Sequence, residues 1–561
     1  MADFLLRGGL AVAIGALCAS NAAAVPVNFK AMAEAYLKAA YPADGPGAAV
    51  IVVEDGKVVY SAGRGFADIA TRRKIEPTTV FRLGSLTKQF TAAVILQLQA
   101  EGKLSLSDPV SKFLPDYPRP GAAATVAQLL NHTSGIKNFT AVPSLMMSGR
   151  RAKPITTGEL IDVFKNQPSD FAPGTGWRYD NSGYVLLGAI IERITGRPWY
   201  AAVNARLARP LHLATIRYGV EESKMPKMAV GYSLDGTTIL PARPLNMSNP
   251  HAAGALIGSV ADFARWNEAL HKGRVLGAAQ YAQMITPTKL PDGTVVPYGF
   301  GMGLGTLRGR KTLLHSGDTA GFSTSTIYLP DRDLFVGVFA NSDHPPVPPM
   351  VARMVIAAMA LGQPFPEFRK TPLEVSEIEP FLGVYALKDG ERRFFMKDGR
   401  LFTRRSGGAE EEVFAAGSDR FFYGPTTLSW FEVKRDAGGK RVMTMYEGPE
   451  QKQETATRSG PIPVERAVTV SRNVLQRYVG TYKSDRGIAT IAITAEGALT
   501  IQVGHQSSHA LVPVSETEFQ VEGVDASLTF HSAGNAISYL TYRQGEHELR
   551  ADRQPGESHQ P

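Results

Sequence analysis

A chain of 561 residues is too long for one hydrophobic core, and its length predicts roughly three or four domains. Its composition, 44% hydrophobic and 20% charged, is typical of a globular protein. The net charge of +8 comes from dispersed lysines and arginines, which argues against a nucleic-acid partner and fits solubility with weak attraction to an anionic envelope.

The first residues have the pattern of a secretory signal peptide, with Arg7 before an apolar core from Leu10 to Leu17. Cleavage is expected after Ala24, which predicts residues 1–24 as the signal and a periplasmic or secreted bacterial protein. The apolar run is too short to cross a bilayer and no later run is long enough, so we expect no membrane span. Cys18, the only cysteine, lies in this signal, and Leu17 before it is a poor match to a lipid-attachment site. The mature chain then has no disulfide, cysteine catalysis or cysteine zinc site.

Helical and strand patterns alternate after the signal. Phe29 to Ala40 is an amphipathic helix candidate, and the β-rich runs around Asp55-Gly56 predict a hairpin with a two-residue turn. His132 lies in a glycine-bearing loop after a helix-like run. We interpret His132 as structural, because no carboxylate or second histidine lies close in the sequence.

Ser85 and Lys88 are the first catalytic candidates. Residues three apart share a helix face, so the two side chains can touch, and the apolar run from Thr91 to Leu98 predicts that their helix is buried. A partly desolvated lysine can take the serine proton, because burial disfavours the charged form of lysine. The same spacing also occurs by chance with a solvated lysine, so the interpretation depends on the motifs that follow.

Tyr179 and Asn181 are the second candidates. A turn rich in proline and glycine precedes them and an apolar helix begins near Tyr184, so both stand on a rigid loop at a helix entrance. Residues two apart in an extended loop face the same way, which brings a phenol and an amide to one cleft. The alternative is a core tyrosine and an asparagine that caps the helix.

His315 and Gly317 are the third candidates. The runs Ser323 to Leu329 and Leu334 to Phe339 flank the turn PDRD and predict a hairpin, with LLH as an edge strand before it. Gly317 at that edge would let a substrate backbone approach closely, whereas His315 alone is also compatible with a surface residue. A helix from about Met350 to Met359 then closes the module.

Beyond Pro366 the sequence changes to short alternating segments that occur in two copies. FLGVY at 381–385 is matched by YVGTY at 478–482, and LSW at 428–430 by LTF at 528–530, in the same order. This repeat predicts two related all-β units, small antiparallel barrels. Thr455 to Pro463 is interpreted as the linker between them.

Together these motifs resemble the serine β-lactamase and penicillin-recognising superfamily, in particular its class C β-lactamase and DD-peptidase branch. The resemblance covers roughly Met32 to Leu361. It depends on Ser85-Leu86-Thr87-Lys88, on Tyr179-Asp180-Asn181 and on His315-Ser316-Gly317, with LLNHTSG and YGFGMGL as supporting phrases.

The resemblance implies an α+β fold. Its catalytic domain, β-lactamase/DD-peptidase-like at 25–366, has an antiparallel sheet flanked by helices plus a helical lobe. Two small antiparallel β-barrel domains are expected to follow, at 367–463 and 464–561. In the D-aminopeptidase family a loop of the last barrel reaches the catalytic cleft, and Gly504 to His509 is polar and turn-rich enough to be a comparable loop.

The resemblance also implies a role for each candidate. Ser85 is the acylated nucleophile, Lys88 its base or proton shuttle, and Tyr179 a participant in proton transfer. Asn181 holds the substrate amide, and the backbone N–H groups of Ser85 and Asp318 form the oxyanion hole. No metal ion and no cofactor are implied.

One departure concerns His315, which with Gly317 belongs to the expected substrate-binding residues. Many relatives have Lys-Thr-Gly where this chain has His-Ser-Gly. The histidine is polar and can be cationic, but it lacks the permanent charge that helps to hold a substrate carboxylate, which argues against efficient penicillin hydrolysis. This substitution and the paired barrels are similar to the D-aminopeptidase branch, and the His-x-Gly form also occurs in related esterases.

The expected function is that of a secreted or periplasmic serine hydrolase that acts through an acyl-enzyme on small amides or esters, first of all D-amino-acid peptides or amides. Its expected partners are small-molecule or short-peptide substrates, peptidoglycan fragments among them. The alternatives are an esterase, a class C-like β-lactamase and, from another class, a non-catalytic cell-wall or penicillin-binding protein. The joint presence of Ser85, Lys88, Tyr179 and His315 argues against the last.

Overall fold

The structure is a computed structural model that describes residues 24–142, 150–372, 374–462, 468–484, 487–495, 497–504, 508–522, 526–534, 536–544 and 547–554. The signal-peptide prediction, apart from Ala24, lies outside the described residues, and so does the centre of the Gly504 to His509 loop. The chain divides into two compact units, Met1–Phe365 and Pro366–Pro561. In the described ranges, no helix is long and apolar enough to cross a membrane.

The first unit is built on a six-stranded antiparallel sheet in the order β3-β4-β5-β6-β1-β2. The strands are β1 (Ala48–Glu54), β2 (Lys57–Arg64), β3 (Gly303–Leu307), β4 (Arg310–Thr319), β5 (Phe322–Leu329) and β6 (Leu334–Ala340). The predicted hairpin is present between β1 and β2, where Asp55 and Gly56 have φ values of 49° and 71°. β6 pairs with β1, from Ala340 opposite Ala48 to Leu334 opposite Glu54, so the start and the end of the unit meet inside the sheet.

The strand that carries His315 differs in part from its prediction. β3 pairs with the first half of β4, from Leu307 opposite Arg310 to Gly303 opposite Leu314, so Leu313 and Leu314 are covered by a strand, whereas His315 and Gly317 lie at the sheet edge as predicted. The prediction missed β3 because its glycines weaken the strand pattern. From His315 to Thr319, no strand lies on the outer side of β4 in the part of the chain that the structure describes, and this half of β4 is open.

Helices cover the sheet and form the additional lobe. The longer ones are α1 (Phe29–Ala40), α2 (Thr87–Ala100), α3 (Thr157–Phe164), α4 (Ser182–Thr195), α5 (Val260–His271), α6 (Ala278–Met284) and α7 (Pro349–Ala360). All seven residues of β6 are buried, as expected for a strand covered on both faces. Helix α2 is buried from Thr87 to Leu96, which confirms the prediction of a buried helix behind Ser85.

A buried ion pair joins two turns of the sheet. The guanidinium of Arg332, in the turn between β5 and β6, contacts the carboxylate of Glu54 at the end of β1. Their side chains are only 6% and 7% exposed. Two charges at this depth hold the two turns together only while both are present, because either one alone would be an uncompensated buried charge.

The second unit contains two closed eight-stranded antiparallel barrels, as predicted. The strands of the first are Gly383–Leu387, Gly390–Lys397, Arg400–Arg405, Glu411–Ala415, Arg420–Phe422, Trp430–Arg435, Arg441–Glu447 and Lys452–Gly460. Those of the second are Gly480–Ser484, Gly487–Ile493, Leu499–Val503, His509–Pro513, Glu518–Val521, Ser527–Ala533, Ala536–Gln544 and His547–Arg553. The predicted linker is wrong over much of its length, because Thr455 to Gly460 belongs to the last strand of the first barrel and pairs with its neighbour.

The sequence repeat is a structural repeat. Tyr385 and Tyr482 stand on the first strand of their barrels and are both fully buried. Each donates its hydroxyl hydrogen to the carbonyl oxygen four residues earlier, Tyr385 to Phe381 and Tyr482 to Tyr478. The matched tyrosines therefore satisfy their polar atom in the same way at the start of both barrels.

Candidate active site

Ser85 lies in a tight turn, Gly84–Leu86, that leads into α2. Gly84 has a φ of 52°, and a Cβ atom there would come within 2.8 Å of the backbone nitrogen of Asp318. At Gly317 a Cβ atom would lie 2.0 Å from the Leu83 carbonyl oxygen and 2.8 Å from the Ser85 nitrogen. The approach that Gly317 permits is thus to the protein's own chain, whereas a substrate had been expected there. It packs β4 against the serine turn and brings the backbone N–H groups of Ser85 and Asp318 close together.

Lys88 is fully buried and directed at Ser85. Its Nζ lies 3.0 Å from Ser85 Oγ, 2.7 Å from Asn181 Oδ1 and 2.9 Å from the Ala253 carbonyl oxygen. The two carbonyl-type oxygens can only accept hydrogen bonds. In a neutral amine they take both N–H hydrogens, and the lone pair is left facing the serine hydroxyl.

Burial lowers the pKa of Lys88 to about 7, although the nearby Asp180 carboxylate raises it. A substantial fraction of the neutral amine is therefore present near neutral pH. That fraction is the form that can accept the serine proton.

At the start of α4, Asn181 binds Lys88 and Asp180 caps the helix. Asn181 precedes the helix, but its side chain makes no capping bond, and its Nδ2 points at Asn138 Oδ1 at 3.4 Å while its Oδ1 accepts from Lys88. Asp180 caps instead, accepting from the N–H groups of Ser182 at 2.7 Å and Gly183 at 2.9 Å. Sequence reasoning missed this role, although an Asp two residues before a helix is a recognisable capping signal. Burial raises the pKa of Asp180 to about 7.

The rings of Tyr179 and His132 pack against each other at a tilt of 41° near Ser85. Burial raises the pKa of Tyr179 above its usual value, and hydrogen bonding with Ser85 opposes this shift, so the phenol stays protonated. The centroid of its ring is 4.4 Å from that of His132 and 4.8 Å from Lys88 Nζ. His132 is completely buried with a φ of 66°, and its Nδ1 accepts from the Asp180 N–H at 3.2 Å. His132 thus contacts the Tyr179–Asn181 motif twice, through the Tyr179 ring and through the Asp180 backbone.

His315 is buried and neutral, which excludes the alternative of a surface residue. It is 6% exposed, Tyr298 donates its hydroxyl hydrogen to Nε2 at 2.9 Å, and Nδ1–H donates to the Ser316 carbonyl oxygen at 2.7 Å. Burial lowers its pKa to about 3, aided by the charge of Lys88. The buried guanidinium of Arg353 on α7 donates to the carbonyl oxygens of His315 and Thr326, which fixes β4 and β5 at the site.

Comparison with known proteins decides the family. The beta-lactamase family model matches residues 35–361. The chain belongs to the beta-lactamase family. Penicillin-binding protein 4* of Bacillus subtilis (strain 168) is 25% identical over 432 residues, which are 73% of this chain and 94% of the relative. The resemblance found in the sequence is confirmed.

Two solved structures are similar to this chain over different shares of its length. The octameric penicillin-binding protein homologue from Pyrococcus abyssi is 24% identical, covers 77% of this chain and 98% of its own, and has a TM-score of 0.54, which shows the shared fold. A D-stereospecific amidohydrolase from Streptomyces sp. is 30% identical over 56% of this chain and 94% of its own, with a TM-score of 0.49.

A pocket opens beside Ser85 in this beta-lactamase-family unit. Its volume is about 130 Å³, and its lining includes Ser85, Asn181, Asp318, Arg151 and Asn249. Asp318 is exposed, and its Oδ1 accepts from the Ser323 hydroxyl at 2.7 Å. Neither Tyr179 nor His315 is among the described residues that line it. The pocket therefore extends from Ser85 towards Asn181.

The beta-lactamase-family site unites the sequence candidates. Hydrogen bonds or backbone packing connect all seven within one constellation: Ser85, Lys88, Tyr179, Asn181, His315, Gly317 and Asp318. Over the ranges that the structure describes, no group of three or more histidine, cysteine, aspartate or glutamate side chains is placed to hold a metal ion. The groups that this site offers for chemistry are a hydroxyl, an amine, a phenol and backbone amides.

Proposed function

We propose that this protein is a serine hydrolase that acts through an acyl-enzyme on small amides or esters, with D-amino-acid peptides or amides as the first substrate class. The observation that carries the proposal is the buried Lys88 amine, 3.0 Å from Ser85 Oγ, with a pKa lowered to about 7. A fully buried lysine is costly for the fold, and among the described residues the hydroxyl that it contacts is that of Ser85 at the helix entrance. A base for that serine is the function that accounts for it.

In the proposed acylation, Ser85 Oγ attacks the substrate carbonyl carbon while Lys88 Nζ takes the hydroxyl proton. The carbonyl oxygen becomes an oxyanion, and the N–H groups of Ser85 and Asp318 stabilise it. A donor of this kind is worth about 3 kcal/mol in transition-state free energy. The acyl–Ser85 ester forms as the bond to the leaving group breaks.

Tyr179 serves the leaving group in this proposal. Its pKa is raised, so the phenol O–H is available to donate a proton, and Lys88 replaces that proton from its ammonium. In deacylation the same groups take a proton from the attacking water, and Ser85 recovers its hydrogen. No net proton is stored in the enzyme after one cycle.

Two observations support the proposed substrate class: the neutral His315 at the open edge of β4 and the pair of barrels. A neutral His315 offers no cation for a leaving-group carboxylate, which favours amides and esters over penicillins. The paired barrels after a catalytic unit of this family are similar to the D-aminopeptidase architecture, which favours D-amino-acid peptides. An esterase is the second candidate, because an ester leaving group needs less protonation by Tyr179. We further propose that the protein is exported, on the signal pattern of residues 1–24.

Intact-mass analysis after treatment with a small fluorophosphonate tests the nucleophile. One adduct is expected on the wild type and none on Ser85→Ala, while Ser61→Ala, an exposed serine on β2, keeps it. Turnover of D-alanyl amides, p-nitrophenyl esters and a chromogenic cephalosporin then ranks the substrates. Failure of Ser85 to react with any of these compounds would leave the non-catalytic wall-binding protein as the better explanation.

A further inference from the structure

The pocket beside Ser85 is positioned to receive the acyl part of the substrate, an inference that rests on the proposed function. Tyr179 delivers the proton to the leaving group, so the leaving group occupies its side of the nucleophile. The pocket is lined by Asn181, the expected partner of the substrate amide, and Tyr179 is not among its described lining residues. In a bound substrate, the substituents of the acyl group would therefore occupy this pocket.

Arg151 is fixed in the wall of this pocket. Its carbonyl oxygen accepts from the Asn246 N–H at 2.8 Å and from Asn249 Nδ2 at 3.2 Å. The same Asn249 amide, in a residue only 3% exposed, donates to the Lys153 carbonyl oxygen at 3.1 Å. A buried side chain thus anchors the backbone on both sides of residue 152, which limits where the Arg151 side chain can go.

Arg151 has no ion-pair partner in the part of the chain that the structure describes. Across the described residues, no carboxylate lies within ion-pair distance of Arg151, although Asp318 lines the same pocket. Its neighbour Arg150 is exposed and does not line the pocket, so the two arginines differ in position and not in charge. A half-buried cation that lines the pocket at Ser85, and that forms no ion pair with a described carboxylate, is a binding group for an anion.

We propose that Arg151 makes the acyl pocket selective for acyl donors with a short anionic substituent, such as a carboxylate a few bonds from the reacting carbonyl. The volume of about 130 Å³ suits a short side chain. The guanidinium can bind a carboxylate through two parallel N–H···O bonds, which a carboxamide of the same shape cannot match. This places carboxylate recognition on the acyl side, where the neutral His315 has no part in it.

A matched pair of fluorophosphonates tests the proposal, one with an alkyl chain that ends in a carboxylate and one that ends in the isosteric carboxamide. Labelling rates of Ser85 are followed by intact mass for the full-length wild type, Arg151→Gln, Arg151→Lys and the control Arg150→Gln. We expect Arg151→Gln to slow labelling by the carboxylate probe about tenfold and leave the carboxamide probe unchanged. Arg151→Lys should retain part of the preference, and added salt should reduce it in the wild type.

Two results would overturn the proposal while leaving the nucleophile intact. One is an equal loss of rate on both probes in Arg151→Gln, and the other is an equal loss of the preference in Arg150→Gln. Absence of any Ser85 adduct with either probe is a different result, because it removes the proposed hydrolase and this selectivity with it.

Discussion

Lys88 combines two properties that a catalytic amine needs, direction and basicity. Asn181 Oδ1 and the Ala253 carbonyl oxygen determine which way its lone pair points. Burial determines how often the lone pair is there, because it brings the pKa to about 7. The same amine in water would be protonated almost completely at that pH.

The first prediction concerns pH. The protonated form of Lys88 has no lone pair for Ser85, so kcat/KM for an activated ester should fall as pH falls through about 7 and level off above it. Lys88→Ala should lose nearly as much turnover as Ser85→Ala, because residues of one proton-transfer unit fail together. The control is Lys103→Ala, an exposed lysine. A wild-type profile that is flat from pH 5 to 9, or a Lys88→Ala enzyme with normal turnover, would contradict this role.

The second prediction concerns His132 as a positioning residue. His132→Asn can still accept from the Asp180 N–H and tolerates a φ of 66°, but it removes the ring under Tyr179. We expect it to keep most of the free energy of unfolding while kcat falls by on the order of tenfold to a hundredfold. His132→Leu should lose stability as well, by about 1–3 kcal/mol, because a buried N–H is left unpaired. Urea unfolding and steady-state kinetics separate the two effects, and unchanged kcat in His132→Asn would show a purely structural residue.

Among the contacts of single residues, the sequence predicted those that depend on spacing within one helix. Ser85 and Lys88 are three residues apart on one helix, and the helix alone brings them together. The partners of His315 could not be predicted, because Tyr298 lies 17 residues away and Arg353 lies 38 away, on other elements. The neutral state of His315 depends on that burial, and the sequence alone left it as a group that can be cationic.

At the scale of elements, the proposed catalysis depends on the contact between β4 and the turn Gly84–Leu86 that carries Ser85. Two glycines allow it, and both amides of the expected oxyanion hole come from the two segments that it joins. A shift of β4 away from α2 would leave Ser85 and Lys88 in place and separate the amides.

The third prediction uses this contact. Gly317→Ala places a methyl group 2.0 Å from the Leu83 carbonyl oxygen, so β4 has to move. We expect Ser85 labelling to slow by on the order of a hundredfold, the loss typical of one oxyanion-hole donor. Gly158→Ala in α3, where a Cβ atom meets nothing within 4 Å, is the control and should label at the wild-type rate. Wild-type labelling in Gly317→Ala would mean that the amides are not needed.

The fourth prediction concerns the ion pair of Arg332 and Glu54. Glu54→Gln leaves a buried guanidinium without its anion, and the free energy of unfolding in urea should fall by about 3–5 kcal/mol. The double variant Glu54→Leu with Arg332→Met should recover most of this loss, since it removes both charges. The exposed pair of Asp162 and Lys165 is the control, and Asp162→Asn should stay within about 0.5 kcal/mol of the wild type.

Elements with a strong pattern were predicted within one or two residues. α1 and the hairpin of β5 and β6 are examples, because hydrophobic periodicity and turn residues mark them locally. β3 was missed, since it becomes a strand only by pairing with β4. The last strand of the first barrel was taken for a linker, because its polar Thr and Ser residues hide a strand whose stability comes from closing the barrel.

For the molecule as a whole, the change of pattern after Pro366 was sufficient to predict the architecture. All the catalytic candidates lie in the unit Met1–Phe365, and the barrels of Pro366–Pro561 repeat one plan without repeating any of the candidate motifs. Their part in function stays a prediction. We expect them to influence access to the site while the catalytic unit alone supplies the chemistry.

The fifth prediction therefore concerns the segment Gly504 to His509. Shortening it should change the ratio of turnover between long and short D-amino-acid peptides and leave Ser85 labelling by a small fluorophosphonate unchanged. Shortening the turn at Gly438-Gly439 of the first barrel is the matched control, with no change in either quantity. Parallel changes on long and short peptides would instead assign the barrels to stabilisation or wall attachment.

The pairing of β1 with β6 also governs the order in which the molecule can assemble. Gly47 and Asn341, which meet at the end of this seam beside the Ala48–Ala340 pair, are 294 residues apart, and the Gly47 N–H donates to Asn341 Oδ1. During synthesis β1 and β2 emerge first, as a two-stranded hairpin that is at best marginally stable by itself. The open side of β1 waits until residue 340 has left the ribosome, and contacts over such a span form slowly. The sheet of this unit can therefore be completed only after most of the unit has been synthesised.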